Sequence, residues 1–191
     1  MRPGIFLVGP MASGKTIVGR AVAALLEAGF VDTDEKVVQG AGPIAGIFAE
    51  QGEAGFRRLE SAALAAAAEQ ADAGPTVVAT GGGAVLDPAN RALLAGRFTV
   101  YLLTDLETVA PRVRTATGRP LLDAGTDALQ RWTDIFAVRE PLYRDCAQLT
   151  IDTRGATPAE LAQAIVDAYR RRTDAALTDP ALTDPARRDP R

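Results

Sequence analysis

The stretch that decides the fold is Gly9-Pro10-Met11-Ala12-Ser13-Gly14-Lys15-Thr16, which matches the phosphate-binding pattern G-x-x-x-x-G-K-[ST]. The apolar run Ile5–Val8 before it indicates a buried strand, and residues 16–28 after it form an amphipathic helical pattern. A loop of small residues at this point turns backbone N–H groups toward phosphate oxygens, and the helix dipole adds positive charge. The stretch therefore predicts a nucleoside triphosphate site, with Lys15 at the β- and γ-phosphates and Thr16 on Mg²⁺.

Short apolar runs alternate with helical patterns from this loop to residue 172. The predicted strands are Ile5–Val8, 30–31, Thr76–Ala79, Phe98–Leu103 and 149–151. Helices are predicted at 16–28 and 53–73, after the N-cap Asp87, and from the capping box Thr157-Pro158-Ala159-Glu160 to about residue 172. Such alternation favours parallel strands covered by helices on both faces. We predict an α/β fold of three layers with a five-stranded parallel sheet over residues 1–172.

The composition narrows the function classes. The 191 residues carry a net charge of −3, a single cysteine, Cys146, and no histidine. The charge argues against nucleic acid and anionic membranes as partners, and no apolar run has the length of a membrane span. One cysteine excludes an internal disulfide, and any general base has to be a carboxylate. We predict a cytoplasmic location and, as the default, a monomer.

The C-terminal stretch differs from the rest of the chain. Residues 176–185 read ALTDPALTDP, and a five-residue period that contains proline sustains neither a helix nor a strand ladder. We predict that residues 173–191 form a disordered tail rich in Pro and Asp.

Two aspartates follow the second predicted strand. Asp32 and Asp34 are two residues apart, so an extended segment would present both carboxylates on one face. One carboxylate could hold a water on Mg²⁺ while the other meets an acceptor hydroxyl. The competing interpretation is that Asp34 only caps the helix that follows.

Basic and glycine residues supply the other candidates. Arg58, near the start of the long helix, could clamp a carboxylate with its planar fork, although a helical arginine usually faces solvent or pairs with a residue such as Glu60. The run Gly81-Gly82-Gly83 after the third strand would let the backbone approach a ligand without an intervening Cβ.

Several ordered motifs together resemble the shikimate kinase family over most of residues 4–172. The motifs are 13–20 (SGKTIVGR), Asp32-Thr33-Asp34, Phe56-Arg57 with Glu60, 77–85 (VVATGGGAV), Arg119-Pro120-Leu121-Leu122 and Arg139 with Pro141-Leu142-Tyr143. The resemblance implies a P-loop kinase fold and ATP-dependent phosphorylation of the 3-hydroxyl of shikimate, a step toward aromatic amino acids. It implies ATP and Mg²⁺ as cofactors and shikimate as the small-molecule partner.

The resemblance also assigns roles to residues. Shikimate would contact Asp34, Arg58, Gly82 and Arg139, and Asp34 would orient or deprotonate the hydroxyl. Thr16 and Asp32 would hold Mg²⁺, and Asp34, Lys15 and Arg119 would form the catalytic set, with Arg119 on a lid at 116–126. The nucleotide would contact Ala12, Ser13, Gly14, Lys15, Thr16, Ile17, Arg112, Arg119 and Arg154.

Some positions depart from the expected pattern. Ala12 stands where glycine is frequent, and we expect its φ to stay negative. Pro111 interrupts a predicted helix, so the helix is expected to kink or restart, and Arg114 could replace Arg112 against adenine. Cys146 is expected to be a buried filler, and Trp132 and Phe136 are expected to be core residues.

Two other functions fit parts of the sequence. A gluconate kinase would also bind a carboxylate, although the two aspartates, Arg58 and the glycine run favour shikimate. A regulatory module that binds nucleotide without turnover is the non-enzymatic alternative, and the intact set Lys15, Thr16, Asp34 and Arg119 argues against it.

Overall fold

The structure, a computed structural model, describes residues 4–115 and 127–178, with side chains through residue 175. The strands are β1 (Ile5–Val8), β2 (Gly29–Asp32), β3 (Thr76–Ala79), β4 (Phe98–Leu103) and β5 (Leu149–Asp152). The helices are α1 (Lys15–Leu26), α2 (Thr33–Ala41), α3 (Ile44–Ala73), α4 (Pro88–Ala95), α5 (Leu106–Thr115), α6 (Ala128–Cys146) and α7 (Pro158–Thr178), with a 3₁₀ turn at Ala84–Leu86.

The five strands form one parallel sheet in the order β2-β3-β1-β4-β5. Because β1 lies at the centre, the loop that follows it opens in the middle of the sheet edge where all strands end. The predicted ranges of β1, β3 and β4 agree with the structure, and β2 and β5 include residues beyond their predicted ranges. The predicted five-stranded parallel sheet is confirmed.

Helices bury both faces of the sheet. Ile5 and Leu7 of β1 point into a core with residues of α1 and α7, whereas Phe6 and Val8 point into a core with residues of α3, α4 and α6. This alternation follows from the two-residue period of a strand, and a strand that is apolar at every position is buried on both sides. The three-layer architecture is therefore confirmed.

Two predicted helix starts are confirmed by their hydrogen bonds. The Asp87 carboxylate accepts a hydrogen bond from the Ala89 N–H at 2.7 Å and caps α4. Thr157 Oγ1 accepts from the Glu160 N–H at 3.3 Å, and Glu160 Oε2 accepts from the Thr157 N–H at 2.8 Å. This reciprocal pair is the capping box that opens α7.

Helix α3 begins earlier than predicted. It starts at Ile44 rather than near residue 53, and Gly52 interrupts it with φ 67° and ψ −178°. That conformation is essentially restricted to glycine, so α3 consists of two helical segments joined at an angle.

The boundary predicted for the tail is wrong at its start. Helix α7 continues to Thr178, so residues 173–178 are helical rather than disordered. The rest of the predicted tail, 179–191, lies outside the described residues, as do the predicted lid at 116–126 and Arg119. Within 4–115 and 127–178, no helix combines the length and apolarity of a membrane span.

Candidate active site

A cavity of about 550 Å³ lies where β1, β2 and β3 end. Its wall combines a phosphate-binding loop, four carboxylates (Asp32, Asp34, Glu35 and Glu60), three arginines and an apolar side. The lining residues include Met11, Ala12, Gly14, Lys15, Thr16, Ile17, Asp32, Asp34, Ile44, Phe48, Phe56, Arg57, Glu60, Gly82, Gly83, Arg112 and Arg139. Most residues predicted for the site therefore surround one space.

The loop after β1 has the geometry of an anion cradle. Gly14, with φ 94°, is the N-cap of α1, and no side chain caps the helix there. The Lys15 ammonium donates hydrogen bonds to the carbonyls of Gly9 and Pro10, both at 2.8 Å. Ser13 is buried, does not line the cavity, and its Oγ has no hydrogen-bond partner among the described residues. Uncapped N–H groups and a lysine fit the oxygens of a phosphate chain, whereas the Ser13 hydroxyl is not presented to the cavity.

The expectation that Ala12 keeps a negative φ is wrong. Ala12 adopts φ 66°, in the left-handed region, where an L-residue with a Cβ is strained by about 1–2 kcal/mol. The tight turn between Pro10 and Gly14 requires this conformation although the residue is not glycine.

The aspartate pair is built differently from the extended segment that we predicted. Helix α2 begins at Thr33, and Asp32 is its N-cap, since its Oδ1 accepts hydrogen bonds from the N–H groups of Asp34 and Glu35. The cap is therefore Asp32, and Asp34 lies in the first turn of the helix. The Thr16 hydroxyl donates to Asp32 Oδ2 at 2.7 Å, and both aspartates line the cavity.

The structure does not bring the candidate clamp Arg58 to the cavity. Arg58 is exposed and does not line the cavity, whereas Arg57 does. Arg57 Nη1 donates to Glu60 Oε2 at 2.7 Å, and Glu60 is only 1% exposed. Residues three apart on a helix share a face and residues two apart do not, so Arg57 and not Arg58 can pair with Glu60.

A second carboxylate also binds the Arg57 guanidinium. The Nε and Nη2 of Arg57 donate to Glu53 Oε1 at 3.2 and 2.9 Å. Burial alone would lower the pKa of Arg57, but the carboxylates of Glu60 and Glu53 outweigh burial and raise it. Arg57 is therefore a fixed, permanent cation at the cavity wall.

The glycine run makes room for charged side chains rather than only for a ligand. A Cβ on Gly81 would lie 2.2 Å from Glu60 Oε1 and 2.5 Å from Asp34 Oδ1, and a Cβ on Gly83 would lie 1.9 Å from Arg57 Nη1. Only at Gly82, where the nearest atom would be 3.5 Å away, does a Cβ have ordinary space. The Gly81 N–H donates to Thr33 Oγ1 at 2.9 Å, which ties the loop after β3 to the start of α2.

Arg139 reaches the cavity from α6. It is 7% exposed, and its Nη1 donates to the Gly82 carbonyl at 3.2 Å, which also accepts from the Tyr143 hydroxyl at 2.5 Å. Burial lowers the pKa of Arg139, and the positive charge of Arg57 acts in the same direction. Two guanidinium groups thus act on each other across one wall, and an anion between them would relieve their repulsion.

Helix α5 supplies Arg112 but not Arg114. Arg112 lines the cavity, its Nη1 lies 3.9 Å from the point a Cβ on Gly14 would occupy, and its Nη2 donates to the Thr108 carbonyl. Arg114 does not line the cavity.

The expected kink or restart at Pro111 is wrong, because α5 runs through it without a break. Pro111 and Glu107, the residue whose carbonyl loses a helical donor, are both exposed. Water can therefore replace the missing hydrogen bond.

Arg154, predicted at the nucleotide, does not line the cavity. Its guanidinium donates to Asp152 Oδ1 and Oδ2 at 2.8 and 3.0 Å through Nε, and Nη1 lies 3.5 Å from Asp105. These hydrogen bonds lower the pKa of Asp152 to about 2. Asp152 at the end of β5 and Asp105 after β4 therefore engage Arg154 outside the cavity.

Of the three residues expected in the core, Trp132 and Cys146 are buried, and Phe136 is partly buried against the same cluster as Trp132. Trp132 is 2% exposed and stacks on Phe136 with ring centroids 4.8 Å apart. Cys146 is buried, and burial raises the pKa of its thiol to about 11.

The sequence reasoning did not single out Glu60 as a wall residue, nor Thr33 and Tyr143 as supports of the glycine run. The i,i+3 spacing of Arg57 and Glu60 was a usable signal, whereas the contacts of Thr33 and Tyr143 span 48 and 61 residues and had none.

Within the described residues there is no group of three His, Cys, Asp or Glu side chains that could hold a metal by itself. Thr16 and Asp32 nevertheless present two oxygens beside Lys15. This donor set fits Mg²⁺, which keeps several waters and takes few protein ligands when phosphates supply the rest.

A phosphate-binding loop after the central strand of a parallel sheet, next to an acidic helix start and buried arginines, defines a small-molecule kinase of the P-loop class. The profile of the shikimate kinase family matches residues 11–170. The chain belongs to the shikimate kinase family.

Individual relatives agree. The chain is 43% identical over 167 residues to a shikimate kinase of Streptomyces coelicolor, a match that covers 87% of this chain and 95% of the relative. It is 45% identical over 166 residues to one of Stenotrophomonas maltophilia, covering 86% and 90%. The solved structure of a shikimate kinase from Acinetobacter baumannii in complex with shikimate superposes with a TM-score of 0.83 at 39% identity, covering 89% of this chain and 94% of that one.

Proposed function

We propose that this enzyme transfers the γ-phosphate of ATP to the 3-hydroxyl of shikimate and yields shikimate 3-phosphate. The observation that carries the proposal is the shared cavity: the phosphate-binding loop, Asp34, and the guanidinium groups of Arg57 and Arg139 line one space of about 550 Å³. That volume lies within the range of small-molecule sites.

The two arginines can bind the carboxylate of an anionic acceptor. Arg57 and Arg139 are held by Glu60 and by the Gly82 carbonyl respectively, so neither has to be ordered when substrate arrives. Pre-organised, partly buried guanidinium groups bind a carboxylate more strongly than mobile surface ones. We therefore assign to Arg57, together with Arg139, the carboxylate-binding role that the sequence suggested for Arg58.

The apolar wall of the cavity can pack against the ring of the substrate. Ile44, Phe48 and Phe56 line the cavity, and the rings of Phe48 and Phe56 are 5.1 Å apart. A carbocycle with one carboxylate and several hydroxyls needs both this apolar wall and the wall that carries the arginines. Gly82, whose carbonyl already accepts from Arg139 and Tyr143, has a backbone that is fixed for contact with such a substrate.

Residues on the other side of the cavity would bind the nucleotide. Lys15 can exchange its two carbonyl partners for phosphate oxygens, and Ala12, Gly14 and Ile17 also line this side. Thr16 and Asp32 would hold Mg²⁺, which supplies charge neutralisation on the phosphates when bound. Arg112 lies above Gly14, where it can meet the base or the phosphates.

Asp34 is the candidate that receives the hydroxyl proton. It lies in the first turn of α2 and lines the cavity, and its Oδ1 packs against Gly81, 2.5 Å from the point that a Cβ there would occupy. Phosphoryl transfer depends mainly on positioning and charge, and we expect Asp34 to orient the hydroxyl as well as to accept its proton. Arg119 completes the proposed catalytic set on the basis of the family resemblance.

We extend the proposal to location and assembly. ATP and a soluble metabolite as substrates favour the cytoplasm, and a monomer is the default assembly that we propose.

A coupled assay of ADP release tests the function. We expect release that depends on shikimate and on Mg²⁺, far less with gluconate, and a loss of about 10²-fold or more in kcat with Asp34→Asn. Equal turnover of gluconate would replace shikimate as the substrate. ATP binding without acceptor-dependent release would favour the regulatory module.

A further inference from the structure

Trp132 connects α6 to the phosphate-binding loop. Its indole Nε1–H donates a hydrogen bond to the Met11 carbonyl at 3.0 Å, across 121 residues of sequence. Trp132 is the single tryptophan of the chain and is almost fully buried. No other residue of α6 has a described side-chain hydrogen bond to the loop.

This bond fixes the orientation of one peptide plane. In a trans peptide the carbonyl oxygen and the following N–H point in opposite directions, and no cis bond occurs among the described residues. With the Met11 oxygen directed at Trp132, the Ala12 N–H points away from Trp132. Met11 and Ala12 line the cavity and Trp132 does not, so this N–H is presented on the cavity side.

The same plane adjoins the strained residue of the loop. Ala12 has φ 66°, which is unfavourable for a residue with a Cβ. Rotation of the Met11–Ala12 peptide would relieve that strain by returning φ to negative values, but it would turn the Ala12 N–H away from the cavity. The Trp132 hydrogen bond opposes this rotation.

The indole cannot follow the peptide if it rotates. Its ring stacks on Phe136 at 22° and packs in a cluster with Val109 and Val113 of α5 and Leu129 of α6. The donor is thus held by packing against two helices. Side-chain donors fixed by packing act as templates for the groups that they bind.

We propose that Trp132 is a positioning residue for nucleotide binding, because its N–H holds the Met11–Ala12 peptide in the orientation that presents the Ala12 N–H to phosphate. The inference rests on the proposed function only in that the loop binds a nucleotide. It gives a buried aromatic residue a function that packing alone would not require.

Trp132→Phe tests the role, since it removes the donor and keeps an aromatic ring for the stack on Phe136, at the cost of some buried ring volume. By isothermal titration calorimetry we expect Mg·ADP to bind about 3- to 10-fold more weakly, with shikimate affinity within about twofold of the wild type. Phe136→Leu is the matched control. It keeps the N–H and weakens the packing, so it should lower Tm without a comparable change in the Kd of Mg·ADP.

A second substitution separates positioning from general stability. Glycine at position 12 carries no penalty at positive φ, so the effect of Trp132→Phe on the Kd of Mg·ADP should shrink to less than about twofold when measured in an Ala12→Gly background. A loss of packing would not be rescued by glycine at a residue on the other side of the hydrogen bond. An equal effect in both backgrounds overturns the proposal, as does unchanged Mg·ADP affinity in Trp132→Phe.

The wild-type chain provides a measurement that needs no variant. Because the single indole is bonded to the loop, Mg·ADP should shift or quench its fluorescence, whereas shikimate alone should change it much less. An emission spectrum unaffected by saturating Mg·ADP contradicts the inference. These binding measurements do not use turnover, so a chain that binds Mg·ADP through Trp132 but fails to phosphorylate shikimate would refute the proposed function alone.

Discussion

Arg57 and Arg58 are adjacent in sequence, yet one step along a helix turns a side chain by about 100°. Arg57 meets Glu60 and lines the cavity, and Arg58 faces solvent. The motif could predict that an arginine of this pair serves the site. Which one does so depends on helical phase, and the partner Glu60 at i+3 decides it.

The first prediction compares these two arginines. Arg57→Gln should lower kcat/KM for shikimate by about 10- to 100-fold, because a charge-assisted contact is lost and Glu60 is left buried without its main partner. Arg58→Gln is the control and should stay within about twofold. Steady-state kinetics at saturating ATP measure both, and the reverse order would return the clamp to Arg58.

The second prediction concerns Gly83. Gly83→Ala places a Cβ 1.9 Å from Arg57 Nη1 and 2.4 Å from its Cζ, so the guanidinium has to move and its hydrogen bond to the buried Glu60 is weakened. We expect kcat/KM for shikimate to fall by about tenfold or more and the free energy of unfolding to fall by about 1–3 kcal/mol. Gly40→Ala, at an exposed site where a Cβ meets nothing within 4 Å, should change neither greatly. If Gly83→Ala retained full activity, Arg57 would not need its observed position.

At the scale of elements, the break in α3 shapes the substrate side of the cavity. Gly52 separates the segment with Ile44 and Phe48 from the segment with Phe56 and Arg57, and both segments line the cavity. A straight helix could not present both sets with the same geometry. Local helix propensity, high in the Ala-rich stretch after residue 60, indicates the second segment only, because a backbone break at one glycine has no periodic signature.

The third prediction tests this break. Gly52→Ala should destabilise the fold by about 1–3 kcal/mol and raise the KM for shikimate, because the conformation at φ 67° and ψ −178° excludes a Cβ even though no atom lies nearby. Urea unfolding and kinetics measure the two effects. Gly46→Ala, also without a neighbour within 4 Å but inside the helix, should be neutral or slightly stabilising. Equal behaviour of the two variants would contradict a role for the break.

Other elements were predictable because their signals are local. The caps Asp87 and Thr157, and the strands on both sides of the phosphate-binding loop, follow from side chains a few residues apart. The start of α2 was not predictable, since an Asp-x-Asp segment suits both a strand end and a helix cap. Only the hydrogen bonds to Asp32 distinguish these two structures.

At the scale of the whole molecule, the absence of histidine from the sequence governs the response to pH. No side chain with an ordinary pKa titrates between pH 6 and 8. Burial raises the pKa of Cys146 from 9.0 to about 11 and that of Tyr101 from 10.0 to about 12. The folded state therefore retains protons that the unfolded chain has lost between about pH 9 and 12.

The fourth prediction follows from this difference in bound protons between the folded and unfolded states. The free energy of unfolding should be nearly constant from pH 6 to 8 and should fall as pH rises above about 9, because the folded state binds more protons there. Urea denaturation at each pH measures it. Cys146→Ala should reduce the slope between about pH 9 and 11, and an unchanged slope would mean that the thiol does not contribute.

The overall architecture was the most predictable level. Alternation of buried strands and helices determined the layers and the parallel sheet, because each apolar strand must be covered on both faces. The cavity wall was less predictable, since only the fold brings Tyr143 to Gly82 and Thr33 to Gly81.

The later turns of helix α7 lie on a side of the molecule where an attachment would not block the cavity. The ring of Tyr169 packs 5.5 Å from that of Phe98, and the Arg172 guanidinium lies over the same ring. Phe98 is the first residue of β4, so the later turns of α7 lie at the end of the sheet opposite to the cavity. A label or surface attachment on these later turns of α7 would therefore lie at the rear of the molecule and leave the entrance for nucleotide and acceptor unobstructed.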